Sequence, residues 1–567
     1  MLKGISVSDG IGIGKAYIVR QGKPEYTPVS VADTEAEAAR FHQAVTCFCE
    51  RTEEMAENME QTVGQKDAAI IRGHIQMLKD PYMLAQIEEQ IKEGTCAEAA
   101  CENVLNTFIE MFSQVDDELT RQRATDVEDI KIRMLGILLG TETQTLRDIP
   151  PESVLVTEDL TPSMTAEMES RHVVGIVTEK GGKTSHSAIL ARALEIPAVL
   201  SVSGAAAQLK AGDTVIVDGR EGLVVPQPDQ RTLSKYRKQK AAYEAEQEVL
   251  CQYIGRETVT ADGERKEVCC NIGNLKDAAA AAEKDGEGIG LFRSEFLFMD
   301  KKDAPGEEEQ FAAYKKAAEV FKGKPVIIRT LDVGGDKGIP YLSMGQEDNP
   351  FLGFRGIRYC LAHGDLYDTQ LRAIIRASAF GKVRIMVPLV TGVDEIRAVR
   401  EKVQIITREF EQTGVEYDRN LQVGIMVETP AASLIADLLA EESDFFSIGT
   451  NDLTQYTMAA DRGNSQVAYL NNPYEPAVLR SIRRIIRCGK EAGIPVGMCG
   501  EAAADPLLTP LLLAFGLDEF SVSPASVLAT RYNISKWTKR EAEAAADQVM
   551  KLKTADAVKA FLINLNK

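Results

Sequence analysis

The stretch from Val423 to Asp452, VGIMVETPAASLIADLLAEESDFFSIGTND, carries the pattern that decides the fold. It opens on the apolar run VGIMV, which suits a strand buried on both faces. Glu428, Thr429 and Pro430 end that run. AASLIADLLAEES follows, with the composition and length of an amphipathic helix. A second apolar run, FFSIG, then leads to Asn451 and Asp452. Strand, helix and strand in about 30 residues make one parallel βαβ unit. Both apolar runs hand over to acidic or amide side chains at the same point.

The same rhythm fills the second half of the chain. VCCNIGN, GIGLFRSEF, VIIRTLD, VRIMVPLV, VGIMVETP, FFSIGTND, PVGMCGE and EFSVSP are eight candidate strands, with helical segments such as EEEQFAAYKKAAEVF between them. Eight such units over about 310 residues predict a (β/α)8 barrel spanning residues 255–567. Active sites of these barrels lie at the C-terminal ends of the strands, so the strand ends nominate residues directly. Strand two ends at Arg293 with Glu295 beyond it, and strand three delivers Arg329 and Asp332. Strand five ends at Glu428, strand six at Asn451 and Asp452, and strand seven at Cys499 and Glu501. Arg355 and Arg462 stand in the connections after strands three and six.

These residue types share a chemistry. Arginine binds phosphate and carboxylate through a planar fork, each charge-assisted contact contributing about 1.5–3 kcal/mol. Glu428 and Asp452, on neighbouring strands, suit a hard divalent cation such as Mg²⁺ that shares oxygens of a substrate. The expected ligand is small and multiply anionic, carrying phosphate and carboxylate. Taken singly, any one of these residues reads equally well as a salt bridge at the barrel rim, and Cys499 as a buried apolar thiol. The set as a whole does not.

The first half is organised differently. Residues 1–30 read as short strands and turns. Residues 31–146 are acidic and helix-rich, with Phe41, Val45, Phe48 and Thr52 on one stripe and breaks near Asp80-Pro81 and Gly94. Residues 147–228 return to short β-type runs, SVLVTEDL, VVGIVTE, PAVLSV and DTVIVDG. The opening 30 residues are expected to join them in one small α/β domain, which makes the helical bundle an insertion. Residues 229–254 are charged and free of proline, and glycine does not occur until Gly255, as in a solvated connecting helix.

Two glycine-rich stretches imitate nucleotide loops. DGIGIGK, Asp9 to Lys15, has G-x-G-x-G in place of G-x-G-x-x-G, with no helix after it, and reads as a turn-rich strand region. GGKTSH, Gly181 to His186, fails as a P-loop because Val177 stands where the first glycine belongs. It lies between a strand and the helical SAILARALE, and Ser185 or Thr184 can cap that helix. Helix N-terminal N–H groups stabilise an anion, and a neutral imidazole is nucleophilic near pH 7. His186 is therefore placed to carry a phosphoryl group, against the alternative of a hydrogen-bonded capping histidine.

Composition narrows the partners. The net charge of −20 argues against a general nucleic-acid binder. No apolar run reaches the length of a bilayer span, and the N-terminus lacks the apolar core of a signal peptide, so no membrane insertion and a cytoplasmic location are expected. The ten cysteines include no CxxC pair, which argues for reduced thiols and against a zinc site.

Long motifs in order, among them DLTPS, GGKTSHSAILARALEIPAVL, GIGLFRSEFLFM, RTLDVGGDK, NPFLGFRGIR, GIMVETPAA, SIGTNDLTQYTMAADRGN and GMCGEAAAD, resemble the Enzyme I family of the bacterial sugar phosphotransferase system. The likeness covers essentially the whole chain. Lys183 stands where that family commonly has arginine, and VSDG where it has ASPG. The resemblance implies transfer of the phosphoryl group of phosphoenolpyruvate to a histidine, with Mg²⁺, and then to a histidine of the phosphocarrier protein HPr. It implies His186 as the phosphohistidine, with Thr165 close to it. It implies Arg293, Arg329, Arg355, Asn451 and Arg462 as substrate contacts, Glu428 and Asp452 as metal ligands, and Cys499 as the proton donor to carbon. It further implies that 31–146 binds HPr, that the α/β domain swivels about the 229–254 helix, and that the barrel dimerises. Pyruvate dikinases and phosphoenolpyruvate synthases share the histidine domain and barrel, but they need a large ATP-binding domain for which this chain leaves no room. A non-catalytic scaffold would not need the full set of arginines, carboxylates and thiol, and a barrel aldolase or lyase leaves TSH unexplained.

Overall fold

The computed structural model describes the chain except residues 20–25, 63–64, 115–117, 142–145, 147–148, 162, 165–167, 169, 183–184, 300, 302, 335–338, 343, 346, 465 and 567. It divides into two compact units, Met1–Gln247 and Glu248–Lys567.

The first unit is built on an eight-stranded mixed sheet. Its strands are β1 (Leu2–Lys3), β2 (Ile5–Ser8), β3 (Ile11–Val19), β4 (Ser153–Thr157), β5 (Val173–Thr178), β6 (Ala198–Leu200), β7 (Thr214–Asp218) and β8 (Leu223–Pro226), in the spatial order β1-β8-β7-β3-β4-β5-β6-β2. β3 pairs in parallel with β4, Ala16 opposite Val154, although a helical segment separates them in sequence. Alternation along each strand feeds two cores: Val154, Val156, Val177, Val215 and Val217 pack on one face, and Leu155, Ile176, Ala188 and Leu200 on the other. The glycines of DGIGIGK serve this sheet. A Cβ on Gly12 would stand 2.0 Å from the Val174 carbonyl oxygen, and one on Gly14 2.2 Å from that of Glu152. They admit close approach of backbone, not a phosphate.

Between β3 and β4 run α1 (Thr34–Thr62), α2 (Gln65–Leu78), α3 (Pro81–Lys92), α4 (Ala97–Ser113) and α5 (Glu118–Leu139). The stripe Phe41, Val45, Phe48 and Thr52 of α1 is buried. It packs with Ile87, Leu105, Ile130 and Met134 of the neighbouring helices. The Asp80-Pro81 break is the start of α3: Asp80 accepts the N–H groups of Tyr82 and Met83, and Pro81 takes a helical position that needs no N–H. After β5, helix α6 (His186–Ala193) begins behind Ser185, whose Oγ accepts the Ala188 N–H at 3.3 Å. Helix α7 (Gln230–Cys251) follows β8 and crosses the boundary between the two units.

The second unit is a closed barrel of eight parallel strands: β9 (Glu267–Ile272), β10 (Ile289–Arg293), β11 (Pro325–Arg329), β12 (Lys382–Val387), β13 (Gln422–Val427), β14 (Phe446–Ile448), β15 (Val496–Met498) and β16 (Glu519–Val522). Each of the eight apolar runs in the sequence contributes one strand. Period-two alternation separates interior from exterior. Leu291, Ile327, Met386, Met426, Phe445 and Cys499 fill the interior. Phe292, Ile328, Ile385, Ile425 and Phe446 face outward into the helix-packed core. Burying each such side chain contributes about 1.5–3 kcal/mol. Among the described residues, no helix is long and apolar enough to cross a membrane.

Two placements differ from the sequence expectation. Glu501 does not end a strand, since β15 stops at Met498 and Glu501 opens a short 3₁₀ helix, Glu501–Ala504. Asn451 and Asp452 do not end a strand: β14 stops at Ile448, and both residues lie in the first turn of the helix Thr450–Met458. The chain turns from strand to helix at Gly449, so these polar side chains are carried by a helix start at the barrel mouth.

Candidate active site

Arg293, Arg329, Arg355, Arg462, Glu428 and Cys499 line one cavity of about 540 Å³, together with Glu295, Asp332, Asn451, Asp452 and Glu501. All follow the C-terminal ends of barrel strands or stand in the connections beyond them. The arginines are not equivalent. Arg329 is buried and donates from Nη2 to Glu295 Oε1 at 2.6 Å, with Nη1 3.1 Å from Asp332 Oδ2. Arg355 is buried and donates from Nη2 to both oxygens of Asp332, at 3.0 and 3.2 Å. Arg462 is more open; its Nη2 reaches Asp452 Oδ1 only at 3.6 Å. Arg293 is exposed at the end of β10. Two guanidinium groups are thus fixed by carboxylates, and two are available to close on a ligand.

Burial works against the charge on Arg329, but Glu295, Asp332 and Glu428 more than offset it and raise its pKa above the ordinary arginine value. Nε of Arg329 is enclosed and makes no hydrogen bond to protein. A buried donor of that kind is costly unless a ligand takes it up. Glu428 is pushed the other way. Burial first, then Asp452 and Asp332, raise its carboxyl to about 8. Its Oε1 accepts the Leu389 N–H at 2.7 Å, while Oε2 is enclosed and accepts nothing. Asp452 Oδ1 is likewise enclosed without a hydrogen bond. Two carboxylate oxygens from adjacent elements that accept no hydrogen bond fit a hard divalent cation.

Cys499 follows β15, and burial pushes its thiol up to about 11. At neutral pH it keeps its proton. Its position is fixed through the backbone: its N–H donates to the Ile448 carbonyl at 3.1 Å, and Asn271 Nδ2 donates to its carbonyl at 3.0 Å. Asn451 Oδ1 accepts the Glu501 N–H at 3.1 Å, tying the two loops that frame the thiol.

Over most of its length the chain is similar in sequence to known proteins. The family model described as the PEP-binding domain of PEP-utilising enzymes matches residues 249–539, the N-terminal domain of the same enzymes matches 3–123, and their mobile domain matches 149–222. A phosphoenolpyruvate-protein phosphotransferase of Bacillus sp. (strain S) is 45% identical over 565 residues, 99% of this chain and 97% of that protein. The protein of the same name from Geobacillus stearothermophilus gives the same identity and coverage, and that of Bacillus subtilis (strain 168) is 42% identical over 562 residues, 99% of each chain. The chain belongs to the phosphoenolpyruvate-protein phosphotransferase family.

For a member of this family, the barrel cavity gathers nine of the residues nominated from strand ends, and Arg355 and Arg462 from the connections join them. His186 is not among them. It opens α6 in the first unit, behind the Ser185 cap. Thr165, Lys183 and Thr184 lie outside the described residues. Sequence reasoning missed Asn271, the penultimate residue of β9, whose side chain holds the Cys499 backbone. The strand-end rule that selected the other residues would have selected it from VCCNIGN.

Proposed function

We propose that this chain transfers the phosphoryl group of phosphoenolpyruvate to His186 and from there to a histidine of the phosphocarrier protein HPr, releasing pyruvate. The observation that carries this reading is the barrel mouth: four arginines, two carboxylate oxygens that accept no hydrogen bond, and one protonated thiol. That donor set matches a phosphate, a carboxylate and an enol carbon in a single small molecule.

Arg329 and Arg355, already fixed by Glu295 and Asp332, would receive the anion without reorganising, which is the condition for strong electrostatic stabilisation. Arg293 and Arg462 would close on it from the exposed rim. Glu428 and Asp452 would hold Mg²⁺, which when bound neutralises phosphate oxygens as a Lewis acid. The imidazole of His186 attacks phosphorus, an N–P bond forms, and the bond from phosphorus to the enol oxygen breaks. The electron pair left on the enolate takes a proton at carbon from the Cys499 thiol, and the thiolate regains its proton from solvent.

The helices α1 to α5 are proposed as the HPr-binding region, residues 1–30 and 147–228 as the phosphohistidine domain, and 229–254 as the connection about which it moves. The acidic chain suits a basic partner face, and the barrel is proposed to dimerise. The location is proposed to be the cytoplasm, where HPr and phosphoenolpyruvate are both present. Incubation with labelled phosphoenolpyruvate and Mg²⁺ should place one acid-labile phosphate on His186. His186→Ala should lose that label and keep phosphoenolpyruvate binding; label retained in the variant would sink the assignment.

A further inference from the structure

The opposite end of the barrel holds a second group of polar side chains, remote in the strand direction from the mouth. β9 begins at Glu267 and β16 at Glu519, and these two residues are register partners on adjacent parallel strands. Ser521 and Cys269 form the next pair on the same face. Alternation turns Cys269 inward, while Cys270 joins the helix-facing core. The Cys269 sulfur and one carboxylate oxygen each from Glu267 and Glu519 lie within 4.8 Å of one another.

Two further observations point to a ligand. Glu519 is 7% exposed, yet its Oε1 is enclosed and accepts no hydrogen bond. Carboxylates side by side on neighbouring strands repel, and burial sharpens the repulsion. The barrel nevertheless makes room for them: a Cβ on Gly290 would stand 2.2 Å from Glu519 Oε1, and one on Gly497 3.3 Å from it. A cavity of about 290 Å³ opens beside the pair, lined by Glu267, Glu519, Arg265 and Arg384 among others.

We propose that Glu267, Cys269 and Glu519 form a binding site for a divalent ion of the zinc class, at the seam where the last strand of the barrel meets the first. Thiolate with carboxylate is a zinc-type donor set and not a magnesium one. Bond lengths of about 2.3 Å to sulfur and 2.1 Å to oxygen require ligand atoms roughly 3.5 Å apart, which side-chain rotation supplies. The ion offsets two of the three ligand charges, and the cationic Arg384 lines the same cavity. The spacing of cysteines in the sequence gives no hint of it, because the ligands come from strands at the two ends of the barrel sequence. The ion would clamp β16 to β9 and so close the barrel.

Cobalt(II) reads a thiolate ligand directly, through a charge-transfer band in the near ultraviolet. Metal-stripped full-length protein, kept in excess Mg²⁺, should develop that band with one Co²⁺ per chain, and Zn²⁺ should bleach it. Cys269→Ala should abolish the band, and Glu519→Gln or Glu267→Gln should weaken Co²⁺ binding at least tenfold. Cys499→Ala, which removes the thiol at the barrel mouth, should leave the band intact. Zn²⁺ should raise the melting temperature of the parent protein and not of Cys269→Ala. No band in the parent, a band that survives Cys269→Ala, a band lost with Cys499, or unchanged binding in both carboxylate variants would each overturn the site. Should Glu519→Gln fail to fold, Glu267→Gln and Cys269→Ala carry the test.

Discussion

Asp332 holds Arg355 in place: Nη2 of the arginine lies 3.0 Å from Oδ1 of the aspartate, and both side chains are buried. Oδ2 of the same aspartate stands 3.1 Å from Arg329. One carboxylate thus holds two guanidinium groups of the same cavity. Asp332→Asn should leave both arginines under-compensated in a buried site. Stability should fall by about 3 kcal/mol, the order found when one partner of a buried ion pair is lost. The KM for phosphoenolpyruvate should rise about tenfold or more. Denaturant melts and initial rates of pyruvate release test both; an unchanged KM would show that the arginines are positioned by other contacts.

In the proposed cation site, Glu428 would tie metal binding to pH. Its carboxyl is raised from 4.5 to about 8, first by burial and then by Asp452. Between those two values the folded state holds a proton that the unfolded chain releases. Metal-free protein should therefore lose stability as pH rises through that window. Mg²⁺ needs the ionised carboxylate, so its affinity should rise across the same window and its stabilising effect should be largest at the alkaline end. Thermal melts with and without Mg²⁺ at several pH values check the sign. A metal-free melting point that climbs with pH in this range would contradict it, provided Glu428→Gln flattens the trend.

Cys499 should act as an acid and not as a nucleophile. Burial holds its thiol near 11, so it is protonated throughout the neutral range. Cys499→Ala should slow pyruvate formation about 100-fold, the low end for a lost general acid, with little change in binding. Run in reverse from the phosphoprotein and pyruvate, the same step removes a proton from the pyruvate methyl, and phosphoenolpyruvate formation should slow in parallel. With phosphoenolpyruvate carrying tritium stereospecifically at one C3 position, solvent deuterium should enter one face of the enol in the parent protein, giving a chiral methyl group, and both faces in the variant. Retained facial selectivity would assign the proton to another group.

The barrel was legible because each strand wrote its burial into composition. Runs such as VIIR and VGIMV are largely apolar, and the polar residue that ends or follows several of them, Arg329 and Glu428 here, marks the C-terminal rim. Asn451 and Asp452 read from the sequence as the end of a strand, since Gly449 is the single residue that separates β14 from the following helix. Pairings distant in sequence were not legible. Nothing local announces that Asp332 serves two arginines, or that Asn271 fixes the Cys499 carbonyl. The seam pair Glu267 and Glu519 was invisible for the same reason, because register between the first and last strands exists only once the barrel closes.

Gly449 offers the sharpest test of the cation site without changing any charge. Its φ of −85° is open to every residue, so backbone strain plays no part. Space does: an added Cβ would stand 2.7 Å from Glu428 Oε2, 2.9 Å from Glu428 Cβ and 3.1 Å from Met426 Sδ. Glu428 cannot retreat far, because Oε1 is held by the Leu389 N–H and the barrel interior is filled behind it. Gly449→Ala should therefore displace the one oxygen of Glu428 that has no protein partner. Overpacking of this size costs about 1–3 kcal/mol, which a barrel with so large a core should survive. Mg²⁺ affinity should drop at least tenfold while phosphoenolpyruvate binding to the arginines persists, as read by calorimetric titration of each ligand. Equal Mg²⁺ affinity in the folded variant would remove Glu428 Oε2 from the coordination sphere and shift the search to Asp452 alone.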